Sequence, residues 1–106
     1  MNIQLKKGVL ELCVLSILAK RDCYGYELVN ELSKDISISD GTIYPILRRL
    51  TSEGYFTTYL QESQEGPPRK YYALTDEGLY LLQQLDAYWQ ELSLTVKILQ
   101  GQNNRA

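Results

Sequence analysis

Residues 39–74 constrain the fold more than any other stretch: a helix with a basic outer face runs directly into a hairpin. The segment reads SDGTIYPILRRLTSEGYF, then a polar tip, then GPPRKYYALT. Ile43, Ile46, Leu47 and Leu50 recur at the i, i+3, i+4, i+7 spacing of one packed helical face. Tyr44, Pro45, Arg48, Arg49 and Ser52 fall on the other side. Residues 55–60 and 70–74 read as short strands joined by a loop with Gly66, Pro67 and Pro68. A basic-faced helix followed by a hairpin with a basic root is the layout of a winged helix-turn-helix, and double-stranded DNA is its expected partner.

GTIYPILRRL, the following EGY, GPPRKYY and the LTDEG that opens the last helix resemble the PadR family of transcriptional regulators. So do the early LELCVLSIL and YGYEL. The resemblance covers roughly residues 5–99, nearly the whole chain. It implies a mainly α, α+β protein: a winged helix-turn-helix over residues 1–74 and a dimerisation helix over 75–101, together one compact domain. A polar tail follows at 102–106.

The balance of 11 Lys+Arg against 13 Asp+Glu gives a formal charge of −2, unlike a nonspecific nucleic-acid coat. The charges are unevenly placed. Arg48, Arg49, Arg69 and Lys70 sit on the third helix and wing, and Glu11, Glu27, Glu31, Asp86 and Glu91 on other helices. A modest basic patch on an acidic chain suits a sequence reader that binds tightly as a dimer. The chain has no histidine, which excludes His-based acid–base catalysis, His-dependent triads and His-ligated metals. No catalytic residue, metal site or cofactor is expected.

Cys13 reads as a small buried hydrophobe. Cys23 is placed at a helix start, where a lowered thiol pKa would open a redox role beside the simpler structural one. Two cysteines on separate elements point to a reducing, cytoplasmic setting. Residues 1–8 lack a signal-peptide core, and no apolar run reaches the roughly 18 residues of a membrane span.

The first helix is expected over residues 5–20, with one stripe of Leu10, Val14, Ile17 and Leu18 and a second of Leu5, Val9, Leu12 and Cys13. A helix apolar on most sides is buried on most sides, so one stripe is assigned to a second subunit. Asp22 reads as the cap of a second helix over 24–34, in which Gly25 permits close helix approach. Ile36 and Ile38 pin the following turn, and one of them is a candidate for a strand pair with the wing.

In the third helix a cap at Ser39 or Asp40 leaves Pro45 in the interior, at a cost of about 3 kcal/mol. With Thr42 as the effective cap, Pro45 falls in the first turn, so a distorted start over 39–42 is expected. Gly41 there either brings free backbone N–H groups close to a phosphate or only relieves crowding. The wing's cations come at the base of its acidic tip, so the base, more than the tip with Glu62 and Glu65, should meet the DNA backbone.

Thr75 caps a last helix running to Leu99 or Gln100, with Gly101 as its stop. Leu82, Leu85, Trp89, Leu92, Val96 and Leu99 step by 3, 4, 3, 4, 3, a coiled-coil seam for a homodimer.

With Ile43 inward, a helical wheel puts Arg48 near about 140° and Arg49 near about 240°, so one can read a base while the other clamps phosphate. Ser39, Asp40, Gly41, Thr42, Tyr44, Pro45, Arg69 and Lys70 complete the expected DNA-binding set. The family resemblance further implies a repressor of detoxification or transport genes on an inverted-repeat operator. Some short members take flat aromatic ligands at the dimer interface. By that likeness Trp89, with Asp86 and Glu91 for charge, is either a ligand wall or simply a filler of the dimer core. The competing function is a winged-helix protein–protein adaptor without specific DNA binding.

Overall fold

The computed structural model describes the backbone of residues 3–101 and the side chains of 8–101. Its elements are α1 (Ile3–Lys20), β1 (Cys23–Tyr24), α2 (Gly25–Ser33), α3 (Asp40–Ser52), β2 (Phe56–Gln61), β3 (Arg69–Leu74) and α4 (Asp76–Leu99). The three strands form one antiparallel sheet in the order β1-β3-β2. A mainly helical α+β winged helix-turn-helix with a long last helix is therefore the architecture.

The core lies between α1, α2, α3 and the inner sheet face. Leu10, Val14, Leu28, Ile43, Leu47 and Leu50 are completely buried, and Phe56 nearly so. At roughly 1.5–3 kcal/mol for each such side chain, this cluster is the main term holding the protomer together. Leu15 is also fully buried, although it lies off both stripes read from the sequence. Ile36 and Ile38 pack against the core at half burial, as a pinned turn requires.

Two local readings are corrected around residue 22. Asp22 does not cap α2: the N-cap is Tyr24, whose N–H donates to Glu27 Oε1 at 3.1 Å. Asp22 instead accepts a 2.7 Å hydrogen bond from the Tyr59 hydroxyl. The strand pair with the wing is made by Cys23 and Tyr24, opposite Tyr72 and Tyr71, not by Ile36 or Ile38. Cys23 is thus in a strand and fully buried, and burial pushes its thiol pKa up. That is the reverse of an activated thiolate, and the redox reading falls with it.

Helix α3 starts regularly at Asp40 with Ser39 as N-cap, so Thr42 is not the cap and Pro45 stands inside the helix. The Ser39 carbonyl accepts from both Thr42 N–H (3.0 Å) and Ile43 N–H (3.3 Å), a first turn slightly tightened ahead of the proline. Its end is a Schellman motif. Tyr55 N–H reaches Leu50 O at 2.9 Å, Gly54 N–H reaches Thr51 O at 3.1 Å, and Gly54 takes φ 88°, which a side chain would oppose.

In the wing, Phe56 opposes Leu74 at the root and Gln61 opposes Arg69 at the far end. Arg69 and Lys70 therefore flank the tip loop at the distal end of the ladder. The root is apolar, and the basic root expected from the sequence is corrected accordingly. Helix α4 begins at Thr75, whose hydroxyl accepts from Gly78 N–H at 3.0 Å, and ends at Gln100 before Gly101. The tail 102–106 lies outside the described residues.

Candidate nucleic-acid interface

The outward line of α3 is built by the same periodicity that builds its core face. With Ile43, Ile46, Leu47 and Leu50 inward, Gly41, Pro45, Arg48 and Ser52 are left exposed along the opposite side. Ser39 and Asp40 are exposed at its N-terminal end, and Thr42 is half-buried beside them with its hydroxyl 3.4 Å from that of Ser39. A Cβ on Gly41 would meet only Ser39 Oγ, at an ordinary 3.7 Å. Crowding within the protomer therefore does not call for a glycine there.

The two arginines part company. Arg49 Nη2 lies 2.7 Å from Glu11 Oε1 on α1, and its Nη1 lies 3.3 Å from Glu53 Oε2. The Glu11 hydrogen bond raises its pKa above the usual guanidinium value, and Glu53 adds to this. These pairs are partly exposed, with the Arg49 side chain at 47%, so a base or phosphate contact by Arg49 would compete with both carboxylates. Arg48 is exposed and makes no ion pair among the described residues. Its charge is felt at Tyr72, where it lowers a phenol pKa that burial raises. Arg48 is thus close enough to β3 for its charge to register at Tyr72.

A notch opens where α2, α3 and the wing meet. Tyr24, Tyr26, Tyr44, Arg69, Lys70 and Tyr72 line it, around Gly25. Gly25 makes it possible: a Cβ there would fall 2.7 Å from a ring carbon of Tyr44 and 2.9 Å from its hydroxyl. Without that side chain the Tyr44 phenol lies directly against the first turn of α2. Arg69 stacks over the Tyr24 ring at 4.7 Å, and the Lys70 ammonium sits 5.6 Å from the Tyr72 ring. These contacts steady both cations without neutralising them.

A row of rings supports the notch from behind. Tyr26 stacks on Tyr24 (6.3 Å), Tyr24 tilts against Tyr71 (5.5 Å), and Tyr71 stacks on Tyr59 (5.5 Å). Tyr24 and Tyr26 were not among the residues expected from sequence. Their signal, two tyrosines flanking a glycine, reads only as helix packing until the wing is folded onto it.

The dimerisation set divides similarly. Val9 and Leu12 on α1 meet Leu85, Trp89 and Leu92 on α4 around an open apolar groove. Leu82 is half-buried, while Trp89 (40%), Val96 (44%) and Leu99 (80%) are exposed in the protomer. The side chain of Leu5 lies outside the described residues. Trp89 and Asp86 also line a second groove with Glu31 of α2 and Asp35 in the turn that follows it. Glu91 does not line it, so the acids beside Trp89 are not the pair expected. Among the described residues there is no group of metal-binding side chains, and no helix is long and apolar enough to cross a membrane.

A family model described as "Transcriptional regulator PadR-like family" matches residues 14–87. The chain is 32% identical over 93 residues to the negative transcriptional regulator PadR of Bacillus subtilis (strain 168), covering 84% of this chain and 51% of that one. It therefore spans about half the length of that relative. A PadR-like transcriptional regulator from Bacillus cereus, solved as a crystal structure, superposes with TM-score 0.82 at 43% identity, over 91% of this chain and 95% of that one. A PadR-family regulator from Eggerthella lenta gives TM-score 0.84 at 38% identity, over 97% and 89%.

Proposed function

The chain belongs to the PadR-like family of transcriptional regulators, DNA-binding proteins rather than enzymes, and we propose that it is a homodimeric repressor reading an inverted-repeat operator. The observation that carries the reading is the free Arg48 on the outward line of α3, beside a wing that presents Arg69 and Lys70. Arginine offers a bidentate match to guanine O6 and N7, worth about 1–3 kcal/mol of discrimination. Arg69 and Lys70 supply sequence-independent phosphate contacts. An adaptor would be expected to expose apolar residues along α3, and this line carries Gly41, Pro45, Arg48 and Ser52 instead.

Two recognition helices placed about 34 Å apart by a two-fold axis would enter successive major grooves. The unpartnered seam of α4 is the surface that supplies that axis. Repression follows the Bacillus subtilis relative, which is described as a negative regulator. A flat aromatic cation is the effector class that fits, since Trp89 stands beside Asp86, Glu31 and Asp35. A regulator that must reach DNA is proposed to act in the cytoplasm.

The test is selection of purified protein against a random duplex pool, followed by titration of the winner at several salt concentrations. An enriched inverted repeat is expected. Arg48→Ala should flatten preference at one base of each half-site, and Arg69→Ala should weaken every sequence alike and lower the salt slope by about one. No enrichment, with only weak salt-sensitive binding, would transfer the argument to a protein-docking winged helix.

A further inference from the structure

We propose that the notch between α2, α3 and β3 is a seat for one phosphate of the DNA backbone, held by hydroxyl donors from Tyr26 and Tyr44 as well as by Arg69 and Lys70. The inference rests on the DNA-binding reading above and adds to it Tyr26 of α2, which no recognition-helix argument supplies. Three observations converge on an anion. The concavity draws two cations from adjacent positions of β3, and neither has a carboxylate partner among the described residues. The hydroxyls of Tyr26 and Tyr44 donate no hydrogen bond among the described residues, and no buried polar side-chain atom there lacks a partner, so both hydroxyls are open to solvent. Tyr26 is 62% exposed despite its stacking on Tyr24.

The seat is also assembled in advance. Arg69 is set by the Tyr24 ring, Tyr44 by the bare backbone of Gly25, and the tyrosine row ends in the Tyr59–Asp22 hydrogen bond. Little side-chain freedom remains to be lost when a ligand arrives. An anionic oxygen entering there meets O–H and N–H donors together, the combination that fixes a duplex in register without reading its bases. A backbone phosphate is favoured over a base edge because the cations lie at the end of the wing's ladder, beside the outward line of α3 rather than on it.

The hydroxyls give the proposal a signature of its own. A tyrosine O–H strengthens the contact but releases no counterion, whereas a cation does both. Tyr26→Phe and Tyr44→Phe, which keep the rings, should each weaken binding about 2- to 10-fold on operator and scrambled duplex alike, with the salt slope unchanged. Arg69→Ala should lower that slope by about one. Duplexes carrying a single neutral methylphosphonate, walked along the site, should reveal one linkage per half-site at which the effects of Tyr26→Phe and Arg69→Ala both vanish. Wild-type affinity in both phenylalanine variants, or a loss confined to one base sequence, overturns the phosphate seat alone. A wild-type protein that binds no duplex overturns the seat and the DNA reading together.

Discussion

Gly78 and Gly41 carry the same absent side chain for opposite reasons. A Cβ on Gly78 would run into the Tyr55 carbonyl and a Leu74 methyl, the first of which is backbone and has nowhere to go. Gly78 is buried, and its neighbours tie α4 to the wing root. Gly78→Ala should therefore lower unfolding stability by about 1–3 kcal/mol in urea titration, the usual cost of overpacking. Gly41 is exposed, with only ordinary contact waiting for a methyl. Gly41→Ala should raise stability by up to about 1 kcal/mol through helix propensity, yet weaken operator binding if a phosphate approaches that backbone. Unchanged binding in a stabilised Gly41→Ala protein would remove Gly41 from the interface. Arg49 makes a related point: its neighbour Arg48 is one residue away in sequence, and 100° of rotation turned one toward Glu11 and left the other free.

Between elements, one threonine joins the recognition helix, the wing and the last helix. The Thr75 hydroxyl accepts from Gly78 N–H at the start of α4 and donates to the Gly54 carbonyl at 2.7 Å, with Tyr55 O at 3.0 Å. Its own N–H reaches Tyr55 O at 3.1 Å. The Schellman end of α3 and the N-cap of α4 are thus a single hydrogen-bonded knot. Thr75→Ala removes the cap and takes the hydroxyl donor from the Gly54 carbonyl, while Tyr55 O keeps the N–H of residue 75, so a loss of about 1–2 kcal/mol is expected and Thr75→Ser should keep most of it. Equal losses in the two variants would shift the cause from the hydroxyl to the β-branch. The interior Pro45 is tolerated at the same scale because only the carbonyl of Gly41, an exposed residue in the first turn of the helix, loses its intrahelical donor.

At the scale of the whole molecule, shape departs from that of a closed globule. The chain measures 62 × 28 × 20 Å, and its long axis exceeds the roughly 36 Å that α4 alone spans. Trp89 and Leu92 are only partly covered by α1, at 40% and 41% exposure, and Val96 and Leu99 further along α4 are 44% and 80% exposed. Exposed apolar area of this extent is expected to be covered by association. Leu92→Glu should sediment as a monomer at concentrations where the wild type is a dimer. It should also red-shift the emission of Trp89, the sole tryptophan, and weaken operator binding through the lost second half-site. A dimer that survives Leu92→Glu would place the interface elsewhere.

Periodicity and capping chemistry were enough for the residues that act locally. The inward stripe of α3, the Gly54 stop, the Thr75 cap and the 3, 4, 3, 4, 3 seam of α4 are each written in a window of a few turns, because helical geometry repeats every 3.6 residues. Strand β1 is two residues long and has no period to read, so Cys23 and Tyr24 became strand only through pairing with Tyr72 and Tyr71. The fate of Arg49 hung on Glu11, an acid 38 positions away that only the packing of α1 on α3 brings within 2.7 Å. The notch likewise joins tyrosines near residue 25 to cations near residue 70, and no local rule couples them. The sequence by itself determined the long helices and the hairpin, the Gly54 stop, the Thr75 cap and the inward face of α3, since those depend on neighbours along the chain. Tertiary structure alone decided which charges remain free, since that depends on what the fold sets beside each one.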